Sequence, residues 1–309
     1  MNLQTNICMK KILIYIFTVG IIVSGCTLGP DFQKPDYQTP DNYRFDSVKT
    51  DSIVNLYWWK LFDDPILDTL IAIALRENKD VLIAAARIEA ARVNVGYTSA
   101  DQYPKLGFSA GATTGNYMGG KQSSITNNFF AYPELSWEIG FWGKYRRLTE
   151  AAQADLLSSQ YGLRTIQMSL ISAVASSYFE LLGNREKLLI AKNTLESRDS
   201  GLLILEARYK WGVIAEIDLN QSQVQRAISA AAVPQFKRDV AITESSLSIL
   251  LGRYPNAINT DKNLNEMGYP PDIPTGLPSQ LLERRPDILQ AEADYKSKNA
   301  QIGVAEAMR

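Results

Sequence analysis

From Gly143 to Trp211 the chain reads GKYRRLTEAAQADLLSSQYGLRTIQMSLISAVASSYFELLGNREKLLIAKNTLESRDSGLLILEARYKW, 69 residues without a proline. Apolar residues recur every seven positions at Leu156, Leu163 and Leu170. A step of four leads to Val174, and the period resumes at Leu181, Leu188, Leu195, Leu202 and Tyr209. Heptads broken by a four-residue step predict one long helix in a coiled coil whose supercoil relaxes locally. At 1.5 Å per residue it would extend about 100 Å, more than a compact domain needs.

Working outward, RYKWGVIAEIDLNQSQ (208–223) reads as a turn in which Gly212 supplies backbone freedom and Asp218 sits near the start of the next helix. That return helix is expected over 215–251, with Pro234 predicting a kink or a break. Residues 252–277, with Pro255, Pro270, Pro271 and Pro274, read as a linker. Upstream, Ile66, Leu67, Leu70, Ile71, Ala74 and Leu75 begin a helix over 66–101 that Pro104 ends. The two shorter helices total 73 residues, close to the 69 of the long one. They suggest a two-layer rod of antiparallel hairpins with a strand pair at one end.

Those strands are read at 104–118 and 128–141. Leu106, Phe108, Ala110 and Ala112 alternate with Lys105, Gly107, Ser109 and Gly111. Phe129, Ala131, Pro133, Leu135, Trp137, Ile139 and Phe141 share one face, and Glu134, Ser136 and Glu138 the other. Such strands, apolar outward and polar inward, suit a membrane barrel. A soluble hairpin packed on a core has the same alternation, so Glu134 and Glu138 face either a barrel lumen or water.

Composition narrows the function. With 32 basic and 33 acidic residues nothing draws the chain to nucleic acid, and histidine is absent. That removes the commonest general base and metal ligand, and no phosphate loop or nucleophile motif replaces them, so no enzyme and no metal site are expected. The two cysteines, Cys8 and Cys26, exclude a disulfide framework. Lys10 and Lys11 precede a twelve-residue apolar run, Ile12–Val23, too short to span a bilayer. Val23-Ser24-Gly25-Cys26 resembles a bacterial lipobox. It implies a signal peptide over 1–25 and a Cys26 carrying diacylglycerol and a fatty acyl chain, the alternative being an ordinary signal peptide. Residues 26–65, with Pro30, Pro35 and Pro40, read as an extended acylated segment.

Shifting the sequence by 207 places 75–100 on 282–307 with seven of 26 positions identical, Asp80 with Asp287 and Gly96 with Gly303 among them. The chain thus reads as one full repeat and the opening helix, 278–309, of a second.

The lipobox followed by TLGPDFQKP, YWWKLFDDPILDTLIAIALRENKDV, RYKWG, LLGRYP (250–255) and LPSQLLERRPDILQAEADYKSKNAQIGVAEA together resemble the outer-membrane factor family, of the TolC, OprM and NodT type. The likeness runs from about Cys26 to Arg309. Trp58, Trp59, Phe62 and Asp64-Pro65 match the start of its first helix, and Arg284, Arg285, Pro286 and Asp287 its second-repeat signature. The resemblance implies an α+β membrane protein of two tandem repeats. Three chains form a twelve-stranded outer-membrane barrel continued by a periplasmic helical tunnel, a passive conduit for tripartite efflux or type I secretion. The implied partners are two further copies, outer-membrane lipid, a periplasmic adaptor (membrane fusion protein) and an inner-membrane pump. No cofactor is implied beyond the lipid on Cys26. Gly212, Val213 and Asp218 fall at the hairpin tip where the adaptor docks. On this reading the C-terminus is truncated, the gate residues lie in the missing part, and three copies supply six strands of twelve. The alternative is a non-channel periplasmic lipoprotein with a structural or adaptor-like coiled coil.

Overall fold

The computed structural model describes residues 27–40, 57–115, 126–260, 262, 264 and 278–309. The expectations for residues 1–26, Cys26 included, and for much of the 118–128 loop and the 261–277 linker lie outside these. A 3₁₀ turn at Trp58–Phe62 precedes α1 (Pro65–Glu77), α2 (Lys79–Ala100), β1 (Lys105–Gly115), β2 (Thr126–Ser136), α3 (Lys144–Lys210), α4 (Glu216–Leu250), α5 (Pro278–Arg284) and α6 (Pro286–Ala307). Among the described residues no helix is long and apolar enough to cross a membrane.

The chain divides into two compact units. One comprises Thr39–Ala86 and Gly162–Arg284. Its core joins Leu67, Leu70, Ile71 and Ala74 of α1 to Leu170, Ile171, Val174, Ala175, Tyr178, Leu181 and Leu182 of α3 and Leu247 of α4. Heptad positions 170, 174 and 181 are therefore fully buried, each such side chain contributing roughly 1.5–3 kcal/mol. Leu188, Leu195 and Leu202 are only half-buried and Tyr209 is exposed. Asp64 starts α1, its Oδ1 accepting from the amides of Ile66 (2.9 Å) and Leu67 (3.4 Å), with Pro65 in the first turn. Its Oδ2 accepts the Tyr178 hydroxyl at 2.6 Å.

Two expectations are corrected. The helix expected over 66–101 is broken at Asn78, which takes an extended conformation (φ −61°, ψ 133°). Asn78 Oδ1 caps α2 through the amides of Asp80 (2.9 Å) and Val81 (3.3 Å), and its Nδ2 donates to the Leu250 carbonyl at 2.9 Å. Gly252, at φ +71°, lies against this break: a Cβ there would stand 2.3 Å from the Glu77 carbonyl oxygen. The helix expected over 278–309 likewise breaks at Arg285 (φ −68°, ψ 119°). Pro234 stands inside α4 without ending it. The offset of 207 carries α2 onto α6 end for end, 22 residues each, and Asn78 onto Arg285.

The other unit comprises Met1–Gln38, Arg87–Tyr161 and Arg285–Arg309. In it β1 and β2 form an antiparallel pair, from Lys105 opposite Ser136 to Gly115 opposite Thr126.

Candidate functional site

The hairpin register sorts its side chains. One face carries the pairs Leu106 with Leu135, Phe108 with Pro133, Ala110 with Ala131, and Ala112 with Phe129. Leu106, Phe108, Phe129 and Leu135 are each 70–80% exposed, so this apolar face covers no core in the isolated chain. Two strands alone are marginal in water, whereas eleven residues match the length that crosses a bilayer at a tilt. The opposite face carries Gly107 with Glu134, Ser109 with Tyr132, Gly111 with Phe130, and Thr113 with Asn128. The alternation had not revealed Phe130 and Tyr132 there, because Phe129-Phe130-Ala131-Tyr132 is apolar on both parities. Phe130 covers the bare backbone of Gly111, where a Cβ would come within 2.4 Å of its ring, and stacks on Tyr132 with centroids 5.8 Å apart.

The second strand was expected to reach 141 and ends at Ser136. Beyond it Trp137 Nε1 donates to the Gln102 carbonyl (3.2 Å), and Phe141 turns back to Ile139. Glu138 therefore does not share a strand face with Glu134. It accepts from the Tyr145 hydroxyl and from Lys144 Nζ (2.9 Å) at the start of α3. The Tyr145 hydrogen bond, then Lys144, holds its carboxyl below the usual range.

Beside the hairpin's base the residues just after Cys26 are clasped. The Leu28 amide donates to the Trp142 carbonyl at 3.1 Å, and Gly143, at φ +80°, lies against Thr27. Arg147 of α3, its side chain 6% exposed, gathers the segment: Nε donates to the Leu28 carbonyl (3.1 Å) and Nη2 to that of Gly29 (3.1 Å). Nη2 also pairs with Asp31 and Nη1 with Glu150, each at 2.9 Å. Those carboxylates, Asp31 first, push the guanidinium pKa further up. Across the segment Asn299 Nδ2 donates to the Pro30 carbonyl (2.8 Å), Tyr295 meets Phe32 edge-on and Glu292 pairs with Lys34 (3.0 Å). Sequence reasoning missed Arg147, whose partners Leu28, Gly29 and Asp31 lie 116 to 119 positions away.

At the far end of α3 the structure brings Gly212, Val213 and Asp218 into one tight connection. Gly212, at φ +70°, donates to the Tyr209 carbonyl and Val213 to that of Arg208, both at 2.9 Å, which closes the helix as a Schellman motif. Asp218 Oδ2 accepts the Ala215 amide at 3.3 Å and so fastens the start of α4. Trp211 and Ile217 stand exposed beside Val213 around the turn and make the tip apolar. Among the described residues no cluster of Cys, Asp and Glu could hold a metal.

The chain as a whole is similar to known proteins. A model of the outer membrane efflux protein family matches residues 70–253. The "Probable outer membrane lipoprotein SilC" of Salmonella typhimurium is 31% identical over 305 residues, covering 96% of this chain and 65% of SilC. The cation efflux system protein CusC of Escherichia coli O6:H1 is 30% identical over 296 residues, covering 94% of this chain and 64% of CusC. Among solved structures, the Campylobacter jejuni CmeC outer membrane channel superposes with a TM-score of 0.78 at 26% identity, covering 91% of this chain and 62% of that one. The chain thus spans about 65% of the length of its curated relatives.

Proposed function

The chain belongs to the outer membrane efflux protein family, and on that premise we propose that it is an outer-membrane channel subunit, a passive conduit for tripartite efflux or type I secretion. Three copies assemble. Each adds its β1–β2 hairpin to a barrel, with Phe108 and Phe129 toward lipid and Glu134 toward the lumen, and its long helices to a periplasmic tunnel. Diacylglycerol and a fatty acyl chain on Cys26 anchor it in the outer membrane, each buried methylene adding roughly 0.8 kcal/mol. The tip at Gly212, Val213 and Asp218, with exposed Trp211 and Ile217, receives a periplasmic adaptor. An inner-membrane pump supplies the energy, and the chain does no chemistry of its own.

One observation carries this reading: an eleven-rung hairpin with one apolar face, Leu106, Phe108, Phe129 and Leu135, that covers no protein. In water such a face is a liability, and in a bilayer it is the required surface. Fractionation after expression with an intact signal segment tests the reading. Heat-resistant trimers in the outer-membrane fraction are the expected result. A monomer released in soluble form by lipase would refute it and favour a periplasmic coiled-coil lipoprotein.

A further inference from the structure

The face of β2 that carries Glu134 is more apolar than a wet strand face requires. Tyr132 and Phe130 stand on it, two and four residues before Glu134, and their rings stack 5.8 Å apart. Covering the bare backbone of Gly111 accounts for Phe130. It does not account for Tyr132, which lies opposite Ser109 and keeps 51% of its surface exposed, while Phe130 keeps 39%. Gly107 stands opposite Glu134, so β1 raises no large side chain over any of the three. Two aromatic rings and a carboxylate thus form an open shelf along one strand.

The charges on this face are unevenly matched. Lys105, at its end, is committed to Asp101 at 2.6 Å. Among the described residues no hydrogen bond or ion pair reaches the Glu134 carboxylate. Two residues of strand, about 6.7 Å, separate Tyr132 from Glu134. A cation held by the carboxylate is therefore within reach of the negative face of the ring, whose attraction extends to about 6 Å from the centroid. Neither strand holds His, Cys or Met, the ligands that soft metal ions take. The cation that suits the shelf has apolar surface of its own to lay on the rings. Further strands joined at either edge of the hairpin extend the sheet sideways and leave this face open.

We propose that Phe130, Tyr132 and Glu134 form a contact site for aromatic organic cations, quaternary ammonium compounds among them, on the inner wall of the barrel. The proposal rests on the lumen reading of this face given above and adds the ligand class. The site is shallow and binds weakly, as a contact along a conduit must, since a solute held tightly would block the path.

Cysteine protection tests it on the lipidated full chain in the membrane fraction, with N-ethylmaleimide as the thiol reagent and benzyltrimethylammonium as the ligand probe. The chain without an added cysteine supplies the background. Ser109→Cys, opposite Tyr132, and Ala110→Cys, on the apolar face, report on the two sides of β1. The expected result is that Ser109→Cys reacts and Ala110→Cys is shielded by lipid. Millimolar benzyltrimethylammonium should slow the labelling of Ser109→Cys, while sodium benzenesulfonate or potassium chloride at the same concentration leaves it unchanged. Tyr132→Leu, which keeps the carboxylate, and Glu134→Gln, which keeps the rings, should each raise the concentration for half-protection about two- to fivefold. Protection that is absent, or unchanged in both variants, overturns the site, and the contrast between Ser109→Cys and Ala110→Cys then leaves the barrel reading standing. A shift in only one variant overturns the ligand class, because charge alone or ring alone then holds the probe. Equal labelling of the two cysteines, or no chain in the membrane fraction, overturns the barrel reading and the site with it.

Discussion

Gly303 of α6 and Gly29 of the N-terminal segment meet backbone to backbone: a Cβ on Gly29 would lie 2.3 Å from Gly303 Cα. The contact leaves no room for a side chain on either partner, and Gly29 also holds φ +95°. Gly303→Ala should therefore destabilise the chain by about 1–3 kcal/mol, as overpacking of a closed site does. Gly96→Ala, on the same register of α2 but in open space, should stabilise the dissociated chain by roughly 0.5–1 kcal/mol through helix propensity alone. Urea midpoints measured on the two variants check the contrast. Equal shifts would mean that the segment does not seat on α6 in solution.

Tyr178 and Asp64 make the second prediction. Asp64 is 2% exposed, and burial, then the bond to Asp64, pushes the Tyr178 phenol pKa well up. Tyr178→Phe leaves the shape of the core intact and removes the donor to Oδ2, while Oδ1 keeps its two amides. A buried acceptor left short of a partner costs about 1–3 kcal/mol. The denaturation midpoint should fall with its slope unchanged, and a midpoint within error of the parent would show that water replaces the hydroxyl.

What could be read in advance, and what could not, follows from the range of the forces. The long helix was legible because the heptads that predict it also build its core, at Leu170, Val174 and Leu181. The break at Asn78 was not: apolar periodicity continues across it through Ala74 and Val81, and the break depends on a bond to Leu250, 172 positions away. Strand alternation gave the hairpin and its apolar face. Its end at Ser136 escaped notice because Trp137, Ile139 and Phe141 keep the parity after the pairing has ceased. Arg147 looked like one more charge on a helix, and only the fold brings three backbone-adjacent partners to it.

Acid should loosen the join at the α1–α2 break. Hydrogen bonds from Arg253 (2.8 and 3.2 Å) and then Arg76 (2.6 Å) lower the Glu77 carboxyl from 4.5 to about 2. The folded pKa lies below the unfolded one, so the stabilisation is complete above about 4.5 and drains away as pH falls toward 2. The side chain is 31% exposed, and salt should weaken the effect. Glu77→Gln should flatten that part of the stability-versus-pH curve, measured by thermal unfolding between those limits. A variant curve parallel to the parent's would assign the acid sensitivity elsewhere.

The hairpin offers the sharpest test of which side faces lipid. Phe108 stands on the apolar face opposite Pro133, and its neighbour Ser109 on the other face opposite Tyr132. Both are near the middle of β1. A lysine at a lipid-facing position near the bilayer midplane costs about 2–4 kcal/mol, whereas on the lumen side it meets water. Phe108→Lys should therefore lower the urea-resistant membrane fraction strongly, and Ser109→Lys should lower it little. In the aqueous chain Phe108 is already exposed, so neither substitution should change helical content or thermal unfolding of the helical part. If Ser109→Lys proves the more damaging, the hairpin presents its other face to the bilayer. If neither matters, it does not enter the membrane.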